Sequence, residues 1–264
     1  MIAFTIGFIA PFLLGIYLSF CKFTTVTDAR FIGLENYGKV FQDPTFLLLS
    51  VVYRVVYSTF HVIDQCTGIC GGVGIDKTSA RENIFRTVFF MPNLIGGIIL
   101  GYIWQLLLNG VLAHWGKTLT YSGTYGLMGM IILVCWQQIG YMMIIYISGI
   151  QNIPGELIEA AKIDGANSWQ VLRKVIIPMV MPSITICTFL TLTNGFKLFD
   201  QNLALTNGAP SKMSELLALN IFNTFYGRAG YEGVGQAKAV IFFLIVGLVA
   251  VIQNRMTRSK EVQQ

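Results

Sequence analysis

The stretch "ELIEAAKIDGANSWQVLRKVIIP", Glu156 to Pro178, decides how the rest of the chain is read. It carries Glu156, Glu159, Lys162, Asp164, Arg173 and Lys174 close together, too many charges for a segment inside hydrocarbon. On either side the chain changes character. Positions 118–155 and 175–196 contain no Asp, Glu, Lys or Arg. Read as two short helices separated at Gly165, the stretch presents Leu157, Ala160 and Ala161 on one side of the first. Trp169, Leu172 and Ile176 do the same for the second. A segment of this kind lies along a membrane surface, with small residues where another surface approaches closely. The competing reading is a plain connecting loop.

Composition agrees with a membrane setting. Of 264 residues, 12% are charged and 54% hydrophobic, with a mean hydropathy of +0.64. A soluble domain carries about 25% charged residues. The net charge of +5 is spread thinly and forms no basic run of the kind that grips nucleic acid, so its role is orientation in a bilayer. Cys21, Cys66, Cys70, Cys135 and Cys187 make no disulfide or metal-binding framework and read as buried thiols. His61 and His114 have no ligand set around them.

A helix needs about 20 mostly apolar residues to cross the hydrocarbon core. That measure gives five spans, at about 1–20, 84–108, 126–148, 178–198 and 233–254. A sixth is expected at about 46–75, where Arg54, His61 and Asp64 break the signal, so the chain is expected to be an all-α integral membrane protein with six transmembrane helices. Pro11, Pro92, Pro178 and Pro182 lie in or beside these spans, a position membrane helices tolerate. Six spans place both termini on one face. Arg255, Arg258 and Lys260, the group Lys77, Arg81 and Arg86, and the group Lys162, Arg173 and Lys174 then share that face, which the positive-inside rule makes cytoplasmic. Lys22, Arg30 and Lys39 in one outer loop, and Lys212, Arg228 and Lys238 in another, dilute the contrast. The abrupt apolar start predicts a short cytoplasmic leader ahead of Met1 rather than a signal peptide. Of the outer loops, 27–44 reads as an amphipathic element at the interface, with Phe31, Leu34, Tyr37 and Phe41 on one side. The other, 207–227, reads as a turn followed by an apolar helix capped by Ser211.

The segment Ile153 to Ile184, with its Glu-Ala-Ala, Gly165 and downstream Pro178, resembles the EAA loop of ABC-importer permeases. "FIGLENYGKVFQDP", "NIFRTVFFMPNLIGGIILGYIW", "FKLFDQNLALTNGAP" and the final basic-tailed span look like the carbohydrate branch of that family, the maltose and glycerol-3-phosphate type. The resemblance covers the chain except about 50–80. It implies a single type I ABC importer permease domain over 1–264, with an EAA coupling loop at 153–178, in a prokaryotic cell membrane. It implies that Glu159, Ala160, Ala161, Asp164 and Gly165 meet a cytoplasmic ATPase: Glu159 through charge, the alanines through close packing, Gly165 through the turn. The implied partners are a second homologous permease subunit, two ABC ATPase subunits and an extracellular sugar-binding protein. ATP and Mg would be bound by the ATPase subunits, and no GxxxxGK[ST] motif occurs in this chain. No cofactor, metal or catalytic residue is expected here.

Polar side chains inside spans are costly enough to suggest a path for solute. The fourth span supplies Trp136, Gln137, Gln138 and Tyr141, and the fifth ends with Thr191, Asn194, Lys197, Phe199, Asp200 and Gln201. Aromatic faces with amide donors and acceptors suit sugar rings and hydroxyls. Gln and Asn in spans also serve as interhelical hydrogen-bond glue, and Lys197 and Asp200, at i and i+3, are placed to pair with each other. A permease for another solute class, such as glycerol phosphate or an amino acid, is the runner-up. An intramembrane enzyme built on His61, Asp64 or Asp76 is the distant third. These three residues fall where the chain departs from the family, whose second span is apolar. A one-base shift of the reading frame across His61–Asp76 permits codons for an apolar, Leu- and Ala-rich string instead. In the sequence as it stands, Asp64 must face protein or water.

Overall fold

The computed structural model describes residues 2–46, 58 and 87–258. Near the N-terminus, Ile2–Phe4 passes through a π-turn at Thr5–Ile9 into α1 (Ala10–Ser19). Two short antiparallel strands follow, β1 (Cys21–Lys22) and β2 (Arg30–Phe31), with Cys21 opposite Phe31. Then comes α2 (Glu35–Gln42). The buried amide of Asn36 fixes this corner, donating to the Ser19 carbonyl at 2.9 Å and the Cys21 carbonyl at 2.8 Å. Asn36 and Val40 are the buried residues of α2, while Phe41 of the helix and Phe31 and Leu34 ahead of it are exposed.

The remaining elements are helical. They are α3 (Gly97–Ala113), α4 (Gly123–Gln151), α5 (Gly155–Ile163), α6 (Ser168–Val171), α7 (Met181–Phe196), α8 (Phe199–Leu205), α9 (Leu217–Gly227) and α10 (Glu232–Arg258). Isolated in water, the Gly-, Ile- and Tyr-rich α4 would be a poor helix former. In lipid, every backbone N–H and C=O must be satisfied within the segment, and a charge-free run of this length has no alternative to helix.

The expectation of six transmembrane helices is overturned. Among the described residues two helices are long and apolar enough to cross, Gly123–Gln151 and Glu232–Met256, or up to four if each of two bent pairs counts as one span. At ~1.5 Å per residue α4 and α10 reach about 40 Å, beyond the ~30 Å hydrocarbon thickness, whereas α3 and α7 reach only about 25 Å. Both short helices continue a preceding segment across a sharp break. Thr87–Leu94 meets Gly97–Ala113 at 108°, and Ser168–Met179 meets Met181–Phe196 at 70°. The causes are local. Pro92 lies in a 3₁₀ turn, Met91–Leu94, after which Ile95 and Gly96 are extended. Pro178 and Pro182 bracket Val180, whose ψ of 3° leaves the helical range. The first expected span is an apolar helix of Thr5–Ser19, shorter than a crossing requires. The second, at 46–75, lies outside the described residues except for Phe46 and Ser58, as do His61, Asp64, Asp76 and the frame-shift reading.

Small residues set the packing. A Cβ at Gly140 of α4 would overlap the backbone carbonyl of Phe89, so the broken segment is seated directly on the helix backbone. A Cβ at Gly101 of α3 would come within 2.6 Å of the Ala204 Cβ on α8. One core joins α3, α4 and α8 through Leu100, Leu133, Val134 and Leu205. A second joins α2, α7 and α10 through Val40, Leu192, Phe196 and Ala237. A third, around Met142, Tyr146, Ile150 and Val180, anchors the charged segment to the end of α4.

Candidate functional site

The charged segment is a surface feature with an ordered turn. Helix α5 begins after Pro154, carries Glu156 in its first turn and Lys162 in its last, and so complements its own dipole. It ends in a Schellman motif. The Gly165 N–H donates to the Lys162 carbonyl and the Ala166 N–H to the Ala161 carbonyl, both at 3.0 Å. Gly165 sits at φ +81°, the left-handed conformation that this motif demands. Asn167 and Gln170 then cap α6 reciprocally, each side-chain oxygen accepting from the other's backbone N–H at 2.9 and 2.8 Å. The helix runs on through a π-turn at Leu172–Ile176 to Met179.

Burial separates an anchored side from a presented side. Ile158 packs on the core that closes the end of α4, and Val171 is buried. Glu159, Ala160, Asp164 and Gly165 are exposed and Ala161 is half-buried. Alongside them Leu157, Ile163 and Trp169 are 43%, 85% and 65% exposed. Among the described residues, none of the six charged side chains here forms an ion pair. A cleft of about 360 Å³ opens between the two helices, lined by Asp164, Gly165, Gln170 and Lys174. An apolar strip edged by unpaired charges, small residues at its centre, is the chemistry of a docking surface.

The polar residues of the expected solute path are only partly brought together. Gln137, Gln138, Asn194 and Gln201 meet between α4 and the α7–α8 pair. The Asn194 amide donates to Gln138 Oε1 at 3.2 Å and the Gln201 amide to Gln137 Oε1 at 3.0 Å. Gln137 in turn donates to the Ile95 carbonyl at 3.3 Å, satisfying the backbone where the Thr87–Leu94 segment breaks. Gln201 Oε1 is buried and accepts no hydrogen bond among the described residues. Thr191 is fully buried within α7. Trp136 turns away from the amides to meet Trp104 edge-on at 5.4 Å, and Tyr141 lies 6.1 Å from Phe90. Phe199 packs on Phe222 at 5.0 Å. Lys197 and Asp200 are exposed and do not pair with each other. No cluster of three metal-ligating side chains occurs among the described residues.

A buried ionic network went unrecognised in the sequence. Lys238, 2% exposed, lies on α10 rather than in a loop. All three of its donors are used: Asp43 Oδ2 at 2.8 Å, Asn220 Oδ1 at 2.8 Å and Thr224 Oγ1 at 2.9 Å. The Phe46 ring lies 5.4 Å away. Fully buried Glu215 accepts from the Asn220 amide at 2.8 Å and the Asn223 amide at 2.6 Å. Burial pushes the Asp43 carboxyl up, but the Lys238 hydrogen bond and charge, with the Thr45 N–H, hold it below the ordinary range. The signal was a lone lysine inside a run otherwise free of charge from Gly233 to Asn254. Ser211, expected to cap the helix of this loop, instead sits at φ +48°, and α9 starts only after Leu216.

Comparison with known proteins places these features in a family. The model of the "Binding-protein-dependent transport system inner membrane component" family matches residues 68–260. A probable starch degradation products transport system permease protein of Thermoanaerobacterium thermosulfurigenes is 40% identical, over 100% of this chain and 92% of that protein. A multiple sugar-binding transport system permease protein of Streptococcus mutans is 29% identical, over 97% of this chain and 91% of that one. Among solved structures, a chain of a bacterial ABC transporter involved in the import of the acidic polysaccharide alginate superposes with a TM-score of 0.79. That match covers 98% of this chain and 92% of the other at 18% identity, and so speaks to fold alone.

Proposed function

The chain belongs to the family of binding-protein-dependent transport system inner-membrane components, and from that premise we propose that it passes a neutral sugar or oligosaccharide through the membrane, driven by an ATPase docked on α5 and α6. It is a non-catalytic permease subunit of an ABC importer, an architecture of paired permeases, ATPase subunits and a substrate-binding protein. The observation that carries the sugar assignment is the 40% identity, over the whole chain, to a permease named for starch degradation products. The side chains agree with it. The cluster between α4 and α7–α8 is made of neutral amides, and Gln201 Oε1 is a desolvated acceptor to which a hydroxyl can donate.

In this reading the whole of 1–264 is one permease domain, and Glu159, Ala160, Ala161, Asp164 and Gly165 form the ATPase contact. Leu157, Ile163 and Trp169 supply its apolar area. Gln137, Gln138, Asn194 and Gln201 line the solute path, with Thr191, Trp136, Tyr141, Lys197, Phe199 and Asp200 flanking it. The amides now bonded to one another would exchange those bonds for sugar hydroxyls as the helices part. With Lys162, Arg173 and Lys174 in the docking loop and Arg255 and Arg258 after the last helix, the loop and the C-terminal end lie on the cytoplasmic side of a prokaryotic cell membrane in this reading. The segments 27–44 and 202–232 face outward and receive the binding protein. Deleting the gene and measuring uptake of labelled maltotriose, glycerol phosphate and an amino acid tests the assignment. Loss confined to the sugar, restored by the intact gene, is expected. Unchanged sugar uptake with loss of another solute overturns it.

A further inference from the structure

Lys238 lies at a junction that the transport reading does not itself require. Its three hydrogen bonds reach two segments far apart in sequence, the end of α2 through Asp43 and the helix α9 through Asn220 and Thr224. These belong to the two segments assigned above to the outer face. Helix α10, which carries Lys238, packs on α1, α2, α7 and α9. Asn220 also donates to Glu215, so one amide bridges a buried carboxylate and a buried ammonium. The turn that delivers Glu215 is itself tied down. Asn202 of α8 donates to the Ser214 carbonyl and accepts from the Leu216 N–H, both at 2.8 Å, and the Ser214 hydroxyl donates to Ala209 at 2.7 Å.

Apolar residues in place of the whole Lys238–Asp43 pair and its amide and hydroxyl partners would fill the site without the desolvation cost of buried charge, so stability alone gives no reason for an ionic junction here. What an ammonium with three fixed acceptors adds is register: it holds three elements in one relative placement. We propose that Lys238 is a positioning residue for transport, locking the end of α2 and the Glu215–Thr224 segment to α10 so that a push on either outer segment moves α10. The proposal rests on the importer reading, in which the binding protein docks on those segments.

The test uses the full complex in proteoliposomes, with the partner permease, the ATPase pair and the binding protein loaded with maltotriose. Lys238→Met keeps bulk and removes the three bonds. Asp43→Asn keeps shape and removes the counter-charge. The expected result is normal assembly, ATP hydrolysis without binding protein within twofold of wild type, and a tenfold or greater loss of stimulation by loaded binding protein. Lys238→Arg, which retains the charge and donors, is expected to recover part of it. Stimulation within twofold of wild type in Lys238→Met overturns the proposal. So does failure of both Lys238→Met and Asp43→Asn to assemble, which would make the network a folding element only. A wild-type complex without stimulated hydrolysis would instead refute the importer reading.

Discussion

The turn at Gly165 gives the sharpest handle on the docking loop. Its φ of +81° lies where an L-residue with a Cβ is strained, yet a Cβ placed there meets nothing within 4 Å. Substitution therefore acts through the backbone alone. The left-handed conformation costs a non-glycine residue about 1–2 kcal/mol, less for Asn, whose side chain bonds locally, and more for a β-branched residue. A nine-residue helix on a surface has little stability of its own to absorb this cost. A loss of about 1–2 kcal/mol is roughly a 5- to 30-fold change in the population of the Schellman turn. Apparent ATPase affinity falls with the docking-competent fraction. Titrating purified ATPase onto the solubilised permease pair should rank Gly, Asn, Ala and Val in that order, with Ala up to about 5- to 30-fold weaker. Melting of the transmembrane core should stay constant across the series. Ala and Val variants that bind within twofold of wild type, or Asn binding no better than Ala, would refute the argument that this turn presents the loop.

Two further outcomes follow from the packing and the charges. Gly140→Ala forces a methyl group into the Phe89 carbonyl, and because backbone cannot move aside cheaply, about 1–3 kcal/mol of stability should be lost. A thermal melt in detergent unchanged by this substitution would show that the Thr87–Leu94 segment is not seated on α4. The Asp43 carboxylate, held below the ordinary range beside Lys238 with Lys39 and Arg228 lining the same cleft, contributes stability that is present at neutral pH. That contribution is lost as pH falls through its lowered native value. The stability gap between wild type and Asp43→Asn should therefore close on acidification, and a gap that stays constant with pH would exclude the ion pair as its source.

Much of the structure of the Glu156–Pro178 segment was legible because its signals are local. Charge density excluded it from the bilayer, and a glycine between two amphipathic stretches marked the turn. The Asn167–Gln170 cap is of the same kind, two residues at capping spacing. Span count was not legible in that way. A charge-free run such as 87–116 looks continuous on a hydropathy scale, but Pro92 and the extended Gly96 divide it by a 108° bend. Whether a proline kinks a span or ends it depends on what the freed backbone meets, here the side chain of Gln137. The amide cluster between α4 and the α7–α8 pair was legible in the sequence, but the placement of the aromatics beside it was not. Gln137 and Gln138 follow Trp136 directly, yet Trp136 finds Trp104 on another helix. Lys238 was misplaced for a similar reason: its partners Asp43 and Asn220 are distant in sequence, and without them a lone lysine beside an apolar run reads as a loop charge.

The central claim is that ATP hydrolysed by a separate subunit moves solute through this chain by way of the α5–α6 surface. Proteoliposomes holding this chain, its permease partner, the ATPase pair and the binding protein can be loaded with ATP and supplied with labelled maltotriose. ATP-dependent accumulation is predicted for wild type and none for Glu159→Lys, whose binding protein still holds the sugar. Accumulation by Glu159→Lys at the wild-type rate, or by wild type without ATP, would contradict the account.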